Sequence, residues 1–148
     1  MLTEILQSLF TRDLDRLRTE IMSYKSEENL WKTDGNITNS AGNLCLHLLG
    51  NLNTYIGKEI GHTGYTRNRE QEFSLQLVPR EELIHGIDQV ILTITAAITT
   101  IDESNLQANY PVMVFEQKTT TGYLLVHLAT HLSYHLGQIN YHRRMLDR

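Results

Sequence analysis

One run near the C-terminal end constrains this chain more than any other: Leu124-Leu125-Val126-His127-Leu128-Ala129-Thr130-His131-Leu132-Ser133-Tyr134-His135-Leu136-Gly137-Gln138-Ile139. Three histidines stand four residues apart among mostly apolar neighbours. On an α-helix a step of four turns by about 40° and climbs about 6 Å. His127, His131 and His135 therefore lie along one slowly turning stripe, and either adjacent pair could grip a single ion from the same side. With seven histidines in 148 residues, chance would produce this spacing in roughly one or two of every hundred such chains. A helix that is merely histidine-rich is a poor explanation.

The rest of the chain repeats helical periodicity. Leu2, Ile5, Leu6, Leu9, Phe10, Leu14, Leu17, Ile21 and Met22 recur mostly at three- and four-residue steps, which predicts an amphipathic helix over 2–25. Turn chemistry follows at Asp34-Gly35, and Trp31, the only tryptophan, is expected to pack on the end of the helical assembly. Asn39 or Ser40 offers an N-cap for a second helix over 41–60, with an apolar seam of Leu44, Leu48, Leu52, Tyr55, Ile56 and Ile60. Gly42, Gly50 and Gly57 each weaken an isolated helix by up to ~1 kcal/mol, so they predict close approach of a neighbouring element or a bound group. Residues 61–78 form a mostly polar connection, longer than is usual between packed helices. Phe73 and Leu75 could anchor it as a flap. Pro79 suits the first turn of a third helix to about residue 101. Its stretch 90–100 is rich in β-branched residues, but apolar recurrence at three and four favours helix over strand. A second long connection, 102–118, includes the extended run Tyr110–Phe115. Thr119 to Thr121 offer caps for a fourth helix over 120–146. The expected architecture is all-α: a four-helix bundle in one domain, with long connections between helices 2–3 and 3–4.

A net charge of −4 with scattered Lys and Arg argues against a nucleic-acid partner. The cluster Arg143, Arg144 and Arg148 suits the C-terminal end of a helix. One cysteine, Cys45, cannot form an intrachain disulfide and sits among leucines as a small buried hydrophobe. The acidic, amphipathic start does not read as a signal peptide, and no apolar stretch is expected to span a membrane. These features predict a cytoplasmic, single-domain, soluble chain.

Two histidines at i and i+4 form a clamp for Zn, Ni or similar ions, and the third ligand has to come from another element. His47, deep in Leu44-Cys45-Leu46-His47-Leu48-Leu49, is the best placed. His62, His85 and His142 are expected at the surface. Three neutral imidazoles would leave positions open for water or substrate, as a catalytic site requires. Spacing alone does not choose between His127–His131 and His131–His135 as the clamp.

Asn39-Ser40-x-x-Asn43-Leu44-x-x-His47-Leu48-x-Gly50-Asn51 and His127-x3-His131-x3-His135-x-Gly137-Gln138-Ile139 resemble the DinB-like metalloenzyme superfamily. Thr66-Arg67-x-Arg69-x-x-Glu72-Phe73 is similar to one of its subgroups, described only as a domain of unknown function. The resemblance covers essentially the whole chain. It implies a DinB-type four-helix bundle, often a homodimer, with a divalent metal held by His47, His131 and His135. His127 is then a neighbour rather than a ligand. Relatives implied by the resemblance include thiol S-transferases that use a low-molecular-weight thiol, and thiol-dependent isomerases. The metal would be Zn or Ni, with Fe and Mn as alternatives.

A Lewis-acidic ion lowers the pKa of a bound water or thiol. The chain lacks His-Glu-x-x-His, and no Asp or Glu lies in the apolar stretches around His47 or His131. A site without a nearby carboxylate base suits a thiol better than peptide hydrolysis. Asn43, Asn51, His127, Tyr134 and Gln138 flank the ligands at helical steps and could support them or orient substrate. Arg67 and Arg69 could bind a carboxylate of a thiol or substrate, solvation being their simpler role. The alternative to an enzyme is a non-catalytic dimer that binds metal or a small ligand.

Overall fold

Leu6, Phe10, Leu14, Leu17 and Ile21 recur at steps of three and four, so one helix can bury all of them, and α1 (Leu2–Ser23) does so. The computed structural model describes residues 1–148. Helix α2 (Ala41–Leu52) continues through a wider π-helical turn, Asn53–Lys58. A short helix α3 (Arg69–Ser74), then α4 (Arg80–Thr99) and α5 (Thr121–Leu146) complete the all-helical chain. Helix α1 packs on α4 and α5, and α2 packs on the same two, so α1 and α2 face each other diagonally across the core. Leu48 and Leu52 of α2, Ile87 and Ile94 of α4, and Leu128 and Leu132 of α5 fill the space between.

Local chemistry sets the boundaries. The Ser40 hydroxyl accepts the Asn43 amide N–H at 3.1 Å at the start of α2, and the Thr120 hydroxyl accepts that of Tyr123 at 3.1 Å at the start of α5. Asn39 is not the cap. Pro79 immediately precedes α4, whose first amide is met from outside the helix, Arg80 N–H donating to the Glu27 carboxylate. At Asp34-Gly35 the backbone turns back on itself, with Gly35 at φ +51° and Asp34 and Ile37 exchanging both backbone hydrogen bonds. The Trp31 ring lies flat on Gly42: a Cβ there would stand 2.7 Å from it.

Several expectations need correction. The second helix is α-helical only to Leu52, beyond which the π-turn changes the register. The run Tyr110–Phe115 lies within a connection, as expected, and pairs with no strand. A single bridge joins Asn109 to Thr120, and the Tyr110 hydroxyl donates to the Tyr55 carbonyl at 2.5 Å. Helix α4 is long and apolar enough to cross a membrane by length and composition. Its apolarity has a simpler use, because Leu83, Ile87, Val90, Ile94, Ala97 and Ile98 are buried on the side packed against α1 and α2. Arg143, besides lying in the last turn of α5, pairs with Glu20 of α1 at 2.7 Å.

His142 is not on the surface but 3% exposed. Its Nδ1 accepts from the Tyr24 hydroxyl at 2.7 Å, and its Nε2–H donates to the Lys32 carbonyl at 2.8 Å. Both nitrogens of a neutral ring are thereby used, and burial lowers the pKa below the ordinary 6.5, opposed by the Lys32 bond and by Asp147. A histidine depressed in the fold binds fewer protons there than when unfolded. Its contribution to stability is therefore complete above the unfolded pKa and lost as pH falls through the folded one. Urea midpoints measured from pH 7.5 to 5 should fall in the wild type and fall less steeply in His142→Gln.

Candidate metal centre

Because α2 and α5 pack side by side, His47 on one faces His131 and His135 on the other. His131 Nε2 lies 3.3 Å from His47 Nε2 and 3.1 Å from His135 Nε2. Ligating nitrogens of all three residues fall within 4.8 Å of one another. His47 is buried and the other two are half-buried. His127, one turn before His131, stacks on it with ring centres 6.1 Å apart, and stands perpendicular to the Phe115 ring with centres 4.9 Å apart.

The far nitrogens are held separately. His135 Nδ1 lies 2.6 Å from the Gln138 side-chain oxygen, and His47 Nδ1 lies 3.1 Å from Glu72 Oε1. An amide oxygen and a carboxylate oxygen only accept, so both histidines carry their proton on Nδ1 and turn a lone pair at Nε2 toward His131. His131 can donate from Nε2 to one of these but not fully to both. If it carries its proton on Nδ1 instead, that nitrogen is buried without any partner and three lone pairs converge. Neither tautomer satisfies the group. Burial, and then the neighbouring His135, His47 and His127, lower the His131 pKa to about 4, so protonation is no remedy. Burial also lowers that of His47, against the Glu72 hydrogen bond.

A cation among the three Nε2 atoms would relieve the crowding. Two nitrogens at ~2.05 Å from a tetrahedral ion stand about 3.3 Å apart, close to the 3.1 and 3.3 Å observed. The donor set is three neutral imidazoles, two with their tautomers fixed from outside, which fits Zn and the other borderline ions.

Glu72 is the residue that the spacing of the sequence did not reveal. It reaches the centre from α3, within the connection 61–78, which is an ordered flap on α2. Its carboxylate is buried and gripped by Arg67, Nε to Oε2 and Nη2 to Oε1, both at 2.8 Å. The expectation that no carboxylate lies near the histidines is thus overturned by the fold. Two signals stood in the sequence without revealing this role: the Thr66-Arg67-x-Arg69-x-x-Glu72-Phe73 run, and Gly50, where a Cβ would stand 1.9 Å from Glu72 Oε2.

The other expected residues divide. Asn43 supports the flap rather than a ligand, its amide donating to the carbonyls of Glu72 at 3.0 Å and Leu75 at 2.8 Å. Gln138 supports His135. Asn51 is buried one turn beyond His47, with its Oδ1 unpartnered. Tyr134 is exposed, with its ring beside His135. Arg67 is committed to Glu72 and is not a free anion-binding group. Arg69 does not reach the centre and lies over the Phe73 ring, which in turn packs 5.0 Å from His47. His62 and His85 are exposed, as expected.

Fold and site together define an all-helical protein with a three-histidine cluster between two core helices. The chain belongs to the family described as protein of unknown function (DUF1572), whose model matches residues 4–148. Its fold is similar to that in the crystal structure of a conserved protein from Enterococcus faecalis, with a TM-score of 0.77 over 97% of this chain and 96% of that one. At 13% identity that likeness shows the fold alone. No curated protein matches the chain.

Proposed function

We propose that this chain is a DinB-type metalloenzyme in which His47, His131 and His135 hold one divalent cation, with Zn or Ni the best suited. Its proposed activity is of the thiol S-transferase kind on a small molecule. The observation that carries the metal reading is the convergence of three Nε2 atoms, two of them turned inward as lone pairs because Glu72 and Gln138 hold the Nδ1 atoms of His47 and His135. The resemblance of the His47 and His131–His135 motifs to DinB-like enzymes supplies the thiol chemistry and homodimeric assembly.

A divalent cation bound there would favour the thiolate form of a thiol ligand. Glu72 does not supply a competing general base, because it lies on the Nδ1 side of His47, behind the ligand, and is chelated by Arg67. A cleft of about 530 Å³ opens beside His135 and Gln138, walled by Ile37, Leu44, Tyr134, Tyr141 and Met145 among others, with no Asp, Glu, Lys or Arg in its lining. It has the size and mixed polarity of a small-molecule site.

Elemental analysis of purified protein, followed by assay of the metal-loaded form against a panel of low-molecular-weight thiols and electrophiles, tests the proposal. One ion per chain and turnover lost on chelation are expected. An ion that binds with no turnover across the panel would leave a binding protein, and no stoichiometric ion after loading would remove the metal reading.

A further inference from the structure

Three features converge on one carboxylate. Arg67 holds both Glu72 oxygens; Asn43 ties the backbone of the same short helix to α2 through two carbonyls; and Gly50 leaves the space that the carboxylate occupies. The result is a buried acceptor at His47 Nδ1, supplied by a segment that is otherwise a polar connection. We infer that the Arg67–Glu72 pair is a positioning device for His47 that couples cation uptake at the three histidines to docking of the 67–74 flap. This rests on the metal reading above.

The physical reason is tautomer control. A free imidazole divides its proton between two nitrogens, whereas one facing a carboxylate at Nδ1 keeps it there and presents Nε2 as a ligand. Phe73, next in sequence to Glu72, packs on the same ring, so the flap sets both proton position and ring orientation. Coupling is reciprocal: if the docked flap strengthens cation binding by some factor, the cation strengthens docking by the same factor.

Zn²⁺ affinity measured by competition with a chromophoric chelator should fall about 10- to 100-fold in Glu72→Ala, the usual cost of removing a ligand's outer partner. Glu72→Gln keeps an acceptor oxygen and should recover most of the loss. Gly50→Ala keeps Glu72 in the chain but displaces its carboxylate, and should weaken Zn²⁺ binding even though alanine is the better helix former. Histidine ¹⁵N correlation spectra of metal-free protein should show His47 protonated at Nδ1 in the wild type and a tautomer mixture in Glu72→Ala. Zn²⁺ should slow tryptic cleavage after Arg67 and Arg69 in the wild type and not in Glu72→Ala. Equal Zn²⁺ affinity and unchanged His47 tautomer in folded Glu72→Ala and Gly50→Ala would overturn the coupling while leaving the metal site intact. A wild type that takes up no Zn²⁺ would overturn the metal reading itself, and the coupling with it.

Discussion

On the metal reading proposed above, Zn²⁺ should stabilise the wild type and His131→Ala should abolish that effect. A ligand that binds only the folded state at about 1,000 times its Kd adds roughly 4 kcal/mol. For a chain of this length that raises Tm by about 8–16 °C. His131 is the middle member of the three, with its Nε2 in contact with both of the others. Removing it leaves His47 and His135 on separate helices, with no shared neighbour among the ligands. Thermal unfolding with and without Zn²⁺ is the measurement. The difference should vanish in His131→Ala, and a variant retaining the wild-type shift would contradict the assignment of this residue as a ligand. The metal-free variant should still fold, because the core residues that flank His131 on α5, Leu128 and Leu132, are untouched and fully buried.

Phe10→Ala should do the opposite. Phe10 is 0% exposed on α1, a helix that carries none of the three histidines. Truncating a fully buried phenylalanine costs about 3–5 kcal/mol, through lost transfer free energy and the cavity left behind. Tm should fall by about 6–20 °C in the metal-free protein. The Zn²⁺-dependent increment should survive almost unchanged, since α2 and α5 meet without α1 between them. Comparing the two variants in one experiment separates stability of the core from occupancy of the site. A Phe10→Ala protein that lost Tm and Zn²⁺ response together would show that the two are not independent.

What was legible in the sequence follows the reach of each signal. Periodicity is local, so the long helices, the Ser40 and Thr120 caps and the imidazole stripe all stood in the letters. The pairing of His47 with His131 and His135 was suggested by apolar context and by resemblance, and the contact between α2 and α5 places the rings together. The role of Glu72 escaped although the residue stands in the Thr66–Phe73 run, because nothing local ties that run to the histidines. It is 25 residues from His47 in a polar segment, and the glycine that makes room for it carried no hint of a carboxylate. His142 was misplaced because Arg143 and Arg144 beside it resemble a solvated end. Yet it lies three residues after the buried Ile139, on the same side of α5, a spacing that did carry the information. The change to π-helical winding after Leu52 had no counterpart in the apolar pattern, which runs on through Tyr55, Ile56 and Ile60.

The flap also has a bearing on how the molecule is assembled. The groups gathered at the centre come from positions 47, 67–72 and 131–135, so the chain closes a loop of more than 80 residues before any of the second set can meet the first. Contacts of such sequence separation carry a large closure entropy and form late. A cation that needs all of them cannot seed the collapse of the chain. Its uptake would instead mark the end of folding, and occupancy measured in a cell would then count finished molecules rather than nascent ones.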